Sequence, residues 1–120
     1  MRRSGPIGEE RAARHLLEEG YELLARNWRA GRTGELDIVA RLGATLVVVE
    51  VKTAAQRQFG DPISWVTPRK QAQIARLAEA FLAQYGERVD GVRFDVIAVD
   101  ARKDPPELMH LADAFRPEAL

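Results

Sequence analysis

Asp37, Glu50 and Lys52 are the residues whose types and spacing suit a chemical task. Glu50 and Lys52 interrupt the β-branched run Leu46-Val47-Val48-Val49-Glu50-Val51-Lys52, which otherwise has the composition of a strand from the middle of a sheet. Burying an ionised side chain without a partner is strongly unfavourable, so these charges must reach water, pair with each other or bind an ion. The preceding run, from Glu35 to Arg41, is separated from Thr45 to Thr53 only by Leu42-Gly43-Ala44, the pattern of a β-hairpin. A two-residue Gly43-Ala44 turn sets Asp37 opposite Glu50, with Cβ atoms about 5 Å apart. A Leu42-Gly43 turn sets Asp37 opposite Val48 with Glu50 diagonal to it, and a three-residue loop turns Asp37 to the other face. Sheets avoid carboxylates in direct opposition unless a cation lies between them. Mg²⁺ accepts two carboxylates, a backbone carbonyl such as that of Val51, and water. Lys52, next along the same face, could then hold a water or stabilise a phosphate under attack, which suits phosphodiester hydrolysis. The competing reading is a structural Asp–Lys–Glu cluster at a strand end.

The elements that must position these residues follow from periodicity. Ala12, Ala13, Leu16 and Leu17 recur at helical spacing within Gly8 to Glu19, and Gly20 stops that first helix. Tyr21 to Trp28 reads as a strand broken by Arg29-Ala30-Gly31-Arg32-Thr33-Gly34, and the hairpin follows. Gln56 to Val66 has no clean period and reads as a loop beside the hairpin's open end. Thr67-Pro68 then supplies an N-cap with proline at the first helical position, and an apolar face runs through Ala72, Ala75, Ala78, Phe81, Leu82 and Tyr85 to a stop at Gly86. Val92 to Val99 is a strand, Asp100 to Pro106 a turn, and Glu107 to Ala112 a last short strand. The order is α-β-β-β-α-β-β, an α/β chain with no internal repeat.

Composition bounds the setting. With 120 residues the chain fits one domain, because a domain typically needs about 100 to 150. The absence of cysteine excludes a disulfide framework, a thiolate zinc site and a thiol nucleophile, and it suits a reducing compartment. No apolar run approaches the roughly 18 residues of a membrane span. The expectation is a cytoplasmic protein. Eighteen bases balance eighteen acids, which argues against a carpet of positive charge, yet Leu23 to Arg76 holds nine bases against four acids. Fifteen of the eighteen bases are arginine, which suits bidentate phosphate contacts and equally reflects base composition or growth temperature.

An Asp followed by Glu-x-Lys on the next strand, within this element order, resembles the PD-(D/E)xK nuclease superfamily, the fold of many restriction enzymes and of archaeal Holliday junction resolvases. Within it, the chain is similar to the YraN-like family of bacterial proteins, described as uncharacterised and endonuclease-like. The matching pieces are Gly8-Glu9, Asn27-Trp28-Arg29, Gly34-Glu35-Leu36-Asp37, Val49-Glu50-Val51-Lys52, Gly60, Lys70-Gln71 and Arg93-Phe94-Asp95-Val96, spread over Gly8 to Ala114. The resemblance implies a restriction-endonuclease-like core with a mixed central sheet flanked by helices, as a single domain over residues 1–120. It also implies Asp37 and Glu50 as metal ligands, Lys52 as the catalytic lysine, and Glu9 as a helix acid reaching toward the metal. Glu9 also reads simply as an acid in the first turn of a helix. Leu36 stands where the superfamily name has proline, and Ala54 where relatives often carry arginine, a loss that weakens phosphate binding.

Trp28, Arg29 and Arg32 offer a stacking ring and guanidinium groups to nucleic acid, although a tryptophan at a strand end also reads as core. Lys70 opposes the dipole of its helix, so it reads as site-facing or as solvated. Asp95 has no assigned role, and no spacing links His15 with His110, both read as non-catalytic. The functional expectation is a Mg²⁺- or Mn²⁺-dependent endonuclease acting on DNA, branched or otherwise structured, as a homodimer that reads shape and phosphates rather than base sequence. The alternative is a nucleic-acid-binding or partner-binding module that keeps the fold without cleaving.

Overall fold

The computed structural model describes residues 6–53 and 65–117. Helix α1 (Pro6–Glu18) precedes strands β1 (Glu22–Arg29), β2 (Glu35–Leu42) and β3 (Thr45–Thr53). Helix α2 (Pro68–Tyr85) and strands β4 (Gly91–Asp100) and β5 (Glu107–Phe115) follow. The strands form one mixed sheet in the order β1-β2-β3-β4-β5, antiparallel except for the β3–β4 pair. Parallel neighbours need a long crossover, and the segment carrying α2 provides it.

The element order and the mixed sheet with two helices agree with the expectation. Helix α2 has the expected bounds because its signals are local. Thr67 accepts a hydrogen bond from the Lys70 N–H at 3.2 Å, Pro68 opens the first turn, and Gly86 takes φ 81° at the stop. Strand β5 runs three residues past the expected end. The β4–β5 register shifts between Phe94 and Val96, and Asp113 adopts φ 54° there, so the strand bulges and resumes with Phe115 stacked on Phe94. Of the loop expected over Gln56 to Val66, residues 56–64 lie outside the described residues, as do Ala54 and Gly60, whereas Trp65 and Val66 are buried.

Each face of the sheet carries one helix. Val39, Val48, Phe94, Val96 and Ala98 pack with Ile74, Leu77, Ala78 and Phe81 of α2. Ile38, Ala40, Val47, Val49, Val51, Ile97 and Val99 pack with Ala12, Ala13 and Leu16 of α1. The central strands β3 and β4 are therefore apolar on both faces, which accounts for the uninterrupted valine run. Among the described residues no helix is long and apolar enough to cross a membrane.

Candidate functional site

The hairpin turn decides the register. Leu42 pairs with Thr45 and Ile38 with Val49, so the turn is Gly43-Ala44, with Gly43 at φ 60° as a two-residue II′ turn requires. The next step along the ladder sets Asp37 across from Glu50. The pairing ends there: the Val51 N–H donates to Asp37 Oδ2 at 2.9 Å. A carboxylate has replaced a ladder acceptor where β2 and β3 part. Alternation from Val48 assigns Glu50 and Lys52 to the face covered by α2, whereas Leu36 and Val39 both pack on that face, so β2 leaves regular alternation around Asp37.

Both carboxyls are perturbed. Asp37 is 6% exposed. Burial pushes it up to about 6, helped by Glu9 and Glu35 and opposed by the Val51 N–H and Lys70. Burial and then Asp37 push Glu50 up to about 8, against Lys70 and Lys52. Glu50 Oε2 is buried and has no hydrogen-bond partner among the described residues, which is rare for a polar atom withdrawn from water.

Lys70 is the strongest cationic influence on both carboxyls, so the first turn of α2 faces the site. Lys52 shares the face, but its Nζ donates to the Trp65 carbonyl at 3.2 Å. Glu9 arrives from α1 and is 5% exposed. Gly8 beside it permits the approach, because a Cβ there would meet Thr53 Oγ1 at the end of β3. Of the remaining expected residues, Arg29 pairs with Glu35 at 2.9 Å. Trp28 packs edge-on against Phe81, centroids 5.3 Å apart, and Arg32 is exposed in the β1–β2 connection.

Two neighbours, Glu35 and Asn27, stood among the matching pieces of the sequence without an assigned role at the site. Glu35 acts electrostatically on Asp37 and Glu50, and its place two residues before Asp37 on one strand was the available signal. Asn27 donates from Nδ2 to Glu9 Oε2 at 3.2 Å and to Glu35 Oε2 at 3.3 Å. Nothing in its spacing marks that role, because its backbone leaves the strand conformation at φ 51°.

A second polar network lies on the α1 face. Asp95, 0% exposed, accepts from Arg93 Nε at 2.9 Å and Nη2 at 2.8 Å, from the Asp113 N–H at 2.9 Å and from His110 Nε2 at 2.8 Å. Burial pushes Asp95 up, yet these bonds outweigh it and hold the carboxyl below its ordinary range. The ionised carboxylate accepts from His110 Nε2, and His110 Nδ1 lies at hydrogen-bond distance, 2.9 Å, from His15 Nε2. The two histidines, unlinked by sequence spacing, are thus direct neighbours.

Comparison with known proteins follows these features closely. Residues 8–99, from the helix glycine beside Glu9 to the end of β4, match the model of the uncharacterised protein family UPF0102. A UPF0102 protein of Acidothermus cellulolyticus is 50% identical over 92% of both chains. One from Symbiobacterium thermophilum is 46% identical over 86% of each. A third, from Phocaeicola vulgatus, is 40% identical over 94% of this chain and 92% of its own. With the family model spanning both helices' contributions to the Asp37 and Glu50 site, and relatives matching nearly end to end, the chain belongs to the UPF0102 family.

Proposed function

We propose that this chain is a metal-dependent endonuclease-like phosphodiester hydrolase acting on DNA. One observation carries the reading: Glu50 Oε2 is buried, without a partner among the described residues, beside a second buried carboxyl, Asp37. Such a pair is suited to a divalent cation. Among the described residues no three His, Asp or Glu side chains converge to cage an ion. Two carboxylates completed by water suit Mg²⁺ or Mn²⁺, which bind through one or two carboxylates and keep several waters. Asp37 and Glu50 would hold the metal, with the Val51 carbonyl as a further oxygen and Glu9 next to them. The metal supplies Lewis-acid chemistry, acidifying water and drawing charge from a phosphate. The chain's own parts do the rest. The Val51 N–H orients Asp37, and Lys52 and Lys70 add positive charge facing the two carboxyls, where a phosphodiester would be drawn. Arg29 and Arg32, with Trp28 behind them, border the β1–β2 connection as phosphate contacts. DNA as substrate places the working protein in the cytoplasm, and a homodimer would present two sites to two strands.

Mn²⁺ titrated calorimetrically into the wild type and Asp37→Ala, followed by cleavage assays on branched and linear DNA with Mg²⁺, tests this reading. Binding lost in the variant together with wild-type cutting is the expected result. Binding that survives Asp37→Ala, or no binding at all, overturns it.

The bond from Lys52 to the Trp65 carbonyl favours a second reading, a module that binds nucleic acid without cutting, since it commits that ammonium to structure. There, Arg29→Ala and Arg32→Ala weaken DNA binding while Glu50→Ala changes nothing.

A further inference from the structure

The ladder sets Asn27 beside Asp37. Arg26 pairs with Ile38 and Trp28 with Leu36, so the position between them lies across from Asp37, whose other neighbour is Glu50. One row across the sheet therefore reads Asn27, Asp37, Glu50. A regular strand would aim Asn27 to the face opposite Trp28, but at φ 51° the backbone is left-handed. That conformation disfavours most side chains, asparagine least among the non-glycine residues. The displaced amide reaches two carboxylates from different elements, Glu9 of α1 and Glu35 of β2. Both acids act on Asp37. Each also has a cation of its own, Arg26 Nη2 at 4.0 Å from Glu9 and Arg29 Nη2 at 2.9 Å from Glu35. The arginines can balance the charges without Asn27, and its amide ties the two carboxylates to each other.

We propose that Asn27 is a positioning residue of the Asp37–Glu50 site: its amide holds Glu9 and Glu35 alongside Asp37 and so raises the site's affinity for a divalent cation. The inference rests on the metal-site reading above. A carboxylate beside the liganding pair strengthens cation binding only if it is held close, because a free glutamate side chain swings into water. Asn27 supplies that hold across the gap between the first helix and the sheet. Strained backbone is retained where surrounding structure over-determines it, and the two hydrogen bonds to Glu9 and Glu35 provide such a constraint here.

Asn27→Gly separates this role from a merely structural one. Glycine accepts the left-handed backbone and removes the amide. Loss of an outer-shell partner typically weakens metal binding about 10- to 100-fold. Mn²⁺ calorimetry on Asn27→Gly, with its fold checked by circular dichroism, should therefore give a Kd raised at least about tenfold over the wild type. In a double-mutant cycle, Asn27→Gly added to Glu9→Ala plus Glu35→Ala should weaken binding no further, because the amide then has nothing to hold. Wild-type affinity in Asn27→Gly, or full additivity in the cycle, overturns the proposal. If Asn27→Gly does not fold, Glu9→Ala and Glu35→Ala carry the test, and unchanged Mn²⁺ affinity in both overturns it. Glu50→Gln distinguishes the two levels. If the wild type binds Mn²⁺ and Glu50→Gln abolishes it while Asn27→Gly does not alter it, only the role of Asn27 falls. If the wild type binds no Mn²⁺, the metal-site reading falls and this inference with it.

Discussion

Glu50 carries a pH dependence that can be read before any substrate is known. In the metal-free protein its carboxyl rises from an ordinary 4.5 to about 8, through burial first and Asp37 second. Between those values the unfolded chain has released a proton that the folded chain keeps, so folding stability falls as pH rises across that window. Asp37, raised to about 6, acts in the same direction over a narrower span. His15 opposes both: burial and then His110 hold it below its ordinary 6.5, so its contribution to stability grows as pH rises toward 6.5. The informative quantity is therefore a difference. Urea denaturation in EDTA from pH 5 to 8 should show wild type losing stability relative to Glu50→Gln, which has no proton to release; parallel profiles would show that Glu50 is not held protonated. Asp37 opposite Glu50 was one of three registers open in the sequence, and the Gly43-Ala44 turn selects it. The role of Asn27 was not legible there, since a single left-handed residue redirects a side chain without changing any spacing.

At the scale of elements, two aspartates do the same job at two seams of the sheet. Asp37 takes the Val51 N–H where the β2–β3 ladder stops, and Asp95 takes the Asp113 N–H where the β4–β5 ladder slips. Each satisfies a backbone donor that regular pairing would leave open. Asp95 also links three elements, because His110 of β5 joins it to His15 of α1. Replacing it with asparagine removes the charge while its partners, Arg93, His110 and the Asp113 N–H, are all donors. Breaking a buried pair of this kind typically costs roughly 3 to 5 kcal/mol. Asp95→Asn should lower the urea midpoint accordingly with an unchanged slope, and a loss below about 1 kcal/mol would show that the network is dispensable. Helix α2 was readable to the residue because cap, proline and glycine act locally. The end of β5 and the His15–His110 contact were not, as both depend on residues far apart in the chain.

Over the whole molecule, the excess of bases between Leu23 and Arg76 becomes a distribution rather than a sum. Arg26 pairs with Glu9 and Glu10, Arg29 with Glu35, and Arg41 is held at the hairpin's closed end by Gly43 and Tyr85. The sequence displayed the surplus but could not show which arginines acids neutralise. Arg32 and Arg69 are exposed, and the Thr33 carbonyl accepts from Gln73, seating the β1–β2 connection against the first turns of α2. Lys70, in the first turn of α2, acts on both Asp37 and Glu50, and Arg32 and Arg69 lie on the two segments that this contact joins. A duplex approaching these cations would meet phosphate contacts first, and its binding would release about one counterion per contact. If Arg32 contacts a phosphate, Arg32→Ala should weaken DNA binding similarly for every sequence and lower the slope of log affinity against log salt by about 1. Arg41→Ala, at the far end, should leave that slope unchanged. Fluorescence anisotropy with a labelled duplex in EDTA, titrated at several salt concentrations, reads both variants without interference from cleavage. Equal slopes for wild type, Arg32→Ala and Arg41→Ala would move the DNA path away from the β1–β2 connection.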